Sequence, residues 1–398
     1  MASTIASDVE DLNARVTREI LRSDDSSLAL LIPSNAGKEY VLALIELLQA
    51  EIDDCSPTDG RHRKKCIKYL KALATKYRVL PQALFVENIA RDGDHPLRGG
   101  GYAASSDGHR PLCLKVLRMF TENDEAARGK IFLDFCQEAL IWKQLKHPNI
   151  VPFLGVNTKI FAPGFCLVSP WMVNGDVVSF VKAFPAFDKL VLIHEISSAP
   201  DYLHSLEPAI VHGDIKGANI LITNDLHCCL ADFGLAIAAE SQSLVSSSSG
   251  TPKGSFRWLA PELISSGQAP VSARTRKKPQ RDIYAFACTV LEIITGRPPF
   301  ADLSDGAVLL KVIQGDRPER PASGWCPDSI WDLVEQCWEQ DPRKRPFART
   351  LYEHLGGLIR ERELSIGGRL LPRRPGLEEP REDIDDNDDP LLEFFPPA

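Results

Sequence analysis

Residues 211–234 read VHGDIKGANILITNDLHCCLADFG. This stretch sets His212, Asp214, Lys216 and Asn219 within one short segment and brings Asp232 ahead of Phe233-Gly234. Apolar runs at Ile210-Val211, at Ile220-Leu221-Ile222 and at Leu230-Ala231 predict short strands that present the polar segment between them. Phosphoryl transfer to a hydroxyl needs this set of groups close together. A carboxylate orients the attacking hydroxyl, a cation neutralises the moving phosphate, and Asn and Asp oxygens hold magnesium.

Composition bounds the setting. At 398 residues, two or three domains fit, or one large domain with extensions. Hydrophobic content of 44% with 25% charged residues is ordinary for a globular chain. A net charge of −8 argues against a broad nucleic-acid-binding surface. The ten cysteines form no C-x-x-C pair, so reduced core thiols in a cytosolic setting are expected. No run approaches the ~20 apolar residues that span a bilayer, and no signal peptide is read at the N-terminus. The expectation is a soluble cytoplasmic protein without a membrane or nucleic-acid partner. A basic run at Arg274, Arg276, Lys277, Lys278 and Arg281 suits a solvated insertion loop better than a nuclear address.

The spacing H-x-D-x-K-x-x-N followed by D-F-G resembles the catalytic and magnesium loops of protein kinases. Other stretches share the resemblance: Pro111 to Leu117 around Lys115, Phe135 to Ile141 around Glu138, and Leu145 to Val151 after it. Further on, Trp258-Leu259-Ala260-Pro261-Glu262 resembles the A-P-E ending of the activation segment, and Asp282 to Phe286 the buried central helix. Cys337-Trp338 with Asp341-Pro342-Arg343-Lys344-Arg345-Pro346 resembles the corresponding element of tyrosine-kinase-like kinases. The resemblance covers roughly residues 86–357.

What the resemblance implies is an α+β, two-lobed protein-kinase fold, with a small β-rich N-lobe and a larger helical C-lobe. Residues 1–85 form a helical extension, 86–357 the kinase domain, and 358–398 an acidic, proline-bearing tail expected to be disordered. The implied cofactors are ATP and Mg2+, and the implied partner is a protein substrate carrying Ser or Thr. The N-terminal helices or the acidic tail are places for a regulatory partner, against the blander reading of helices that brace the next domain. Asp214 would accept the substrate hydroxyl proton and Lys216 would neutralise the γ-phosphate. Lys115 would hold the α- and β-phosphates and pair with Glu138, while Asn219 and Asp232 would bind magnesium. His212 would be structural, and Arg345 would pair with Glu262. Nucleotide contacts would come from Gly99, Gly100, Gly101, Cys113, Ser169, Trp171, Met172 and Asp176, the last being equally suited to cap a helix. Lys216 points to the Ser/Thr branch.

Three features depart from the pattern. Only 13 residues separate Tyr102 from Lys115, few for a strand, a turn and a return strand, and no third glycine falls in register. Gly99 to Gly101 then either let backbone N–H groups approach phosphates or form a linker without that role. The alternative function is accordingly a pseudokinase scaffold with weak or no turnover. Gly213 stands where most kinases carry an arginine that meets an activation-loop phosphate, so phosphorylation of Ser246 to Thr251 should have less leverage. Pro200 falls inside an expected helix, which should begin near it or be kinked.

Overall fold

A computed structural model describes residues 32, 37–54, 60–87, 89–91, 101–105, 111–117, 125–161, 164–235, 237–238, 255–264, 278–322 and 324–365. Gly99, Gly100, the serines of 246–249, Arg274 to Lys277 and the acidic stretch of the tail lie outside the described residues. The chain divides into two compact units, one of residues up to Gln144 with Phe153–Pro170, the other of Leu145–Pro152 with the residues from Trp171 onward.

Among the described residues, the first unit begins with two helices, α1 (Lys38–Asp54) and α2 (Gly60–Tyr77). Apolar residues recur on one face of each at helical spacing: Val41, Leu44, Ile45, Leu48 and Ile52 on α1, and Cys66, Tyr69, Leu70, Leu73 and Ala74 on α2. All are buried, and the two helices pack on each other. A single 3-10 turn at Gln82–Leu84 leads to backbone hydrogen bonding with Val156, whose carbonyl accepts from Val86 N–H at 2.9 Å.

An antiparallel sheet follows, in the order β1 (Ile89–Arg91), β2 (Gly101–Ser105), β3 (Pro111–Leu117), β5 (Phe165–Pro170), β4 (Gly155–Asn157). Side chains alternate across a strand. Leu112 and Leu114 of β3 therefore meet Cys166 and Val168 of β5 in a buried cluster, while Cys113 and Lys115 face the other way. The sequence pattern predicts a helix over Ile131 to Leu145; helix α3 (Glu125–Trp142) begins earlier and ends sooner. Phe132 and Phe135 on α3 lie 5.2 and 5.3 Å from the ring of Phe165 on β5, which ties the helix to the sheet.

The sequence pattern predicts a strand over Ile150 to Val156, but the strand that forms is β4, Gly155–Asn157. Pro152 has no N–H to give a ladder, and Ile150 makes an isolated bridge with Leu230 in the second unit's own backbone.

The second unit is mainly helical. It contains α4 (Val177–Ala183), α5 (Lys189–Ser205), α6 (Gln280–Thr295), α7 (Asp305–Gln314), α8 (Asp328–Cys337) and α9 (Ala348–Ser365). Its small strands are β6 (Ile210–Val211) with β9 (Ile237–Ala238), and the hairpin β7 (Ile220–Ile222) with β8 (Cys228–Leu230). Residues 282–293 of α6 are buried throughout, so this helix is the axis of the unit.

Helix α5 runs through Pro200 and starts well upstream, where the Asp188 carboxylate accepts from the N–H groups of Leu190 and Val191. It does not begin near the proline. Helix α9 continues to Ser365, past the expected start of the tail at 358; the tail reading now concerns residues 366–398, outside those described. No described helix is long and apolar enough to cross a membrane. The nine cysteines among the described residues are all unbridged, and seven are buried.

Candidate active site

In the first unit, Lys115 Nζ lies 2.7 Å from Glu138 Oε1, joining β3 to α3. Glu138 is almost wholly buried and Lys115 is part-exposed. A buried carboxylate demands a partner, and this ammonium supplies it. Two residues earlier on the same face of the strand, Cys113 sits opposite Ser169 in the β3–β5 register. Burial keeps the Cys113 thiol above its usual pKa, despite the opposing effects of Ser169 and Lys115. Gly101 is the first residue of β2 and pairs with Leu114, so it belongs to a strand.

In the second unit, the polar stretch of the opening motif folds into a tight loop before the β7–β8 hairpin. Lys216 Nζ donates to Asp214 Oδ2 at 2.6 Å and to Ser255 Oγ at 2.8 Å. Asn219 Nδ2 donates to the Asp214 carbonyl at 2.8 Å and to its Oδ2 at 3.0 Å. Two predicted residues, Lys216 and Asn219, thus converge on the carboxylate of a third. Asp232 lies across the hairpin, where Ala231 N–H donates to the Asn219 carbonyl at 2.8 Å, and its own backbone is left-handed at φ +66°.

With its amide nitrogen committed to Asp214, Asn219 keeps Oδ1 as an acceptor. Together with the Asp232 carboxylate this is a hard-oxygen donor set, of the kind that holds magnesium alongside water and substrate phosphates. No group of three or more His, Cys, Asp and Glu among the described residues forms a self-sufficient metal cage.

The loop is held from beneath. His212 Nδ1 accepts from Asp214 N–H at 3.2 Å, so Nε2 carries the proton and donates to the Ala231 carbonyl at 3.1 Å. Burial holds this imidazole below its usual pKa, against the pull of Asp282, Asp214 and Asp232. The buried Asp282 carboxylate accepts from the N–H groups of His212 and Gly213, both at 2.8 Å, and contacts His204 Nε2 at 2.9 Å. Burial alone would raise the Asp282 pKa; the His204 contact, with His212 and Arg281 nearby, brings it below the usual value.

Trp171 and Met172 are half-buried at the start of the second unit's main segment, and Gly175 N–H donates to the Met172 carbonyl at 3.1 Å. Asp176 caps α4: its two carboxylate oxygens accept from Ser179 N–H at 2.9 Å and Ser179 Oγ–H at 2.7 Å. Of the two readings open for Asp176, the cap is therefore observed.

Three residues of this machinery escaped the sequence reading. Glu292 accepts from Gly217 N–H at 2.9 Å and from the Trp258 indole at 3.1 Å, joining the loop to the W-L-A-P-E element. Its sequence signal was present, as a lone acid in the apolar run Thr289-Val290-Leu291-Glu292-Ile293-Ile294. Ser255, which receives Lys216, had no local signal. Arg281 was expected in a solvated basic loop; instead it lies in the first turn of α6, where its Nη2 donates to the Gly213 carbonyl at 2.9 Å. The pair of Arg345 and Glu262 forms as expected, through two parallel contacts of 2.8 Å.

A family model for protein tyrosine and serine/threonine kinases matches residues 100–355. The serine/threonine-protein kinase STY17 of Arabidopsis thaliana is 30% identical over 255 residues, which is 63% of this chain and 41% of that protein. MAP3K epsilon protein kinase 1 of Brassica napus is 37% identical over 226 residues, 55% of this chain and 16% of its own length. A putative serine/threonine-protein kinase/receptor, R831, of Acanthamoeba polyphaga mimivirus is 33% identical over 227 residues, 56% of this chain and 13% of its own. The chain spans less than half the length of each of these curated relatives. With the motifs in register and the family model matching well over half of its residues, this chain belongs to the protein tyrosine and serine/threonine kinase family.

Proposed function

We propose that the chain transfers the γ-phosphate of ATP to serine or threonine hydroxyls of protein substrates, with magnesium as cofactor. The observation that carries this reading is the convergence of Lys216 and Asn219 on the Asp214 carboxylate. The hydroxyl oxygen forms a bond to the γ-phosphorus as the bond to the departing ADP oxygen breaks. Asp214 orients that hydroxyl and takes its proton. Lys216, held by Ser255 as well as Asp214, offsets charge on the transferred group. Lys115, kept in place by Glu138, binds the α- and β-phosphates. Magnesium, held by Asn219 Oδ1 and Asp232, would neutralise charge building on the phosphates. Lys216 and the likeness to serine/threonine kinases favour Ser/Thr over Tyr.

The test is phosphate incorporation into a generic protein substrate, followed by identification of the phosphorylated residue type. Asp214→Asn is expected to lower kcat by about 10^2–10^4-fold, the range of a general base, with KM for ATP within a few-fold. Phosphotyrosine as the main product would overturn the substrate class. A second reading, a scaffold that binds without turnover, draws on Gly101. That glycine is taken up by β2, leaving fewer glycines for a phosphate loop. Mg-ATP binding by the unmodified protein with no phosphate incorporation would select it.

A further inference from the structure

We infer that the N-terminal helical pair is a built-in brace that sets the position of α3, with Arg78 and Arg63 as positioning residues for the Lys115–Glu138 pair. This rests on the kinase reading for its effect on turnover, though the brace itself is a statement about α3. Helices α2 and α3 pack together within the first unit. Two contacts fix their alignment. Arg63 Nη2 donates to Gln144 Oε1 at 2.9 Å, near the start of α2 and just past the end of α3. At the other end, Arg78 Nη2 lies 2.8 Å from where a Cβ on Gly129 would stand.

From 63 to 78 along one helix the partner runs from 144 back to 129, the same number of residues. The two contacts run in opposite senses along the chain, so α3 lies antiparallel to α2. Glu138 sits within the braced span of α3.

The Arg78–Gly129 contact pairs two residues that are each locally disfavoured. Arg78 closes α2 in the left-handed conformation, φ +55°, with Val79 N–H donating to the Ala74 carbonyl at 3.2 Å. Glycine is the usual residue at that cap. Gly129 is buried inside a helix, where alanine is preferred. Exchanged, each would satisfy its own element. As they stand, the arginine side chain occupies the notch that the glycine leaves. A strained residue kept where relief is simple points to a task beyond its own element. Here that task is registering α3 against α2.

The deciding variant is Arg78→Gly combined with Arg63→Ala, in the full chain. Glycine relieves the left-handed cap, so a merely structural role for Arg78 predicts an unchanged or higher Tm and undisturbed α3. The brace predicts that amide exchange across α3 speeds up by about 10-fold while α6, in the other unit, is unaffected. It also predicts that KM for ATP rises several-fold with a smaller change in kcat, and that Arg78→Lys restores part of the loss. Exchange in α3 that matches the unmodified chain overturns the inference, as does a rise shared equally by α3 and α6. If the unmodified chain incorporates no phosphate, the catalytic reading fails while the α3 exchange comparison still decides the brace.

Discussion

Gly213 carries a backbone φ of +81°, and its N–H and carbonyl are both engaged, the first by Asp282 and the second by Arg281. A side chain in this left-handed region crowds the following carbonyl, at about 1–2 kcal/mol. Gly213→Ala is expected to lower stability by that amount in urea denaturation, and to lower kcat through the neighbouring Asp214. The departure of residue 213 from the family pattern also bears on regulation, since no arginine side chain extends from that position. Replacing Ser246, Ser247, Ser248 and Ser249 by Asp is expected to change kcat less than about 3-fold, below the several-fold span typical of a coupled switch. A strong change in turnover across that series would show that phosphate acts through another cation. At this scale the sequence was informative because Asp214, Lys216 and Asn219 are neighbours in the chain. Ser255 was invisible because it reaches the loop across some forty residues, and Arg281 was misread because its basic neighbours suggested a solvated loop while its partner lies some seventy residues away.

Segments distant in sequence also join through buried polar contacts, and the pair of Arg345 and Glu262 is one. The Arg345 side chain has 0% exposure and also donates to the carbonyls of Glu339 and Gln280. Its guanidinium lies 5.1 Å from the centre of the Tyr284 ring. Removing one member of such a pair strands the other. Arg345→Ala is therefore expected to destabilise the fold by about 3–5 kcal/mol, read as a shift in the urea midpoint. A loss under 1 kcal/mol would show that water replaces the guanidinium. Elements were legible where periodicity was clean, as in α1, β3 and β5. They were less so at α3, whose first turns carry few apolar residues, and at α5, where Pro200 suggested an end. The Asp188 cap and the burial of Ile193, Ile196 and Leu203 on the same helix outweigh the local cost of that proline.

Acid should unfold this protein early. Burial depresses the pKa of His147, His194 and His212, so the folded state resists protonation that the unfolded chain accepts near pH 6.5. Above that pH both states are neutral and these groups contribute no pH dependence. Below it the unfolded chain binds more protons, and stability falls by up to 1.36 kcal/mol per pH unit for each histidine involved. Asp282 acts in a lower window. Its depressed carboxylate stabilises the fold above the ordinary Asp value near 3.9, and that contribution disappears only as pH drops through its folded pKa. Calorimetry from pH 7.5 to 5 should show Tm falling once pH passes below about 6.5, the ordinary histidine value. A flat Tm across that range would exclude neutral buried imidazoles. Composition could not have revealed this behaviour, because the nine histidines look alike in sequence and differ only in what the fold packs around them.

The alignment of α2 with α3 also gives the chain a schedule. Synthesis delivers α1 and α2 before residue 125 exists, and contacts between adjacent helices form faster than a sheet whose strands are far apart in sequence. The helical hairpin is then a template already standing when α3 leaves the ribosome, and β4 and β5 arrive onto a helix whose register is set. Nascent chains halted after residue 117 should show residues 38–77 protected from protease, whereas digestion of that segment would place its ordering after α3. A segment at the front of the chain thereby becomes a chaperone in cis for the helix that bears Glu138.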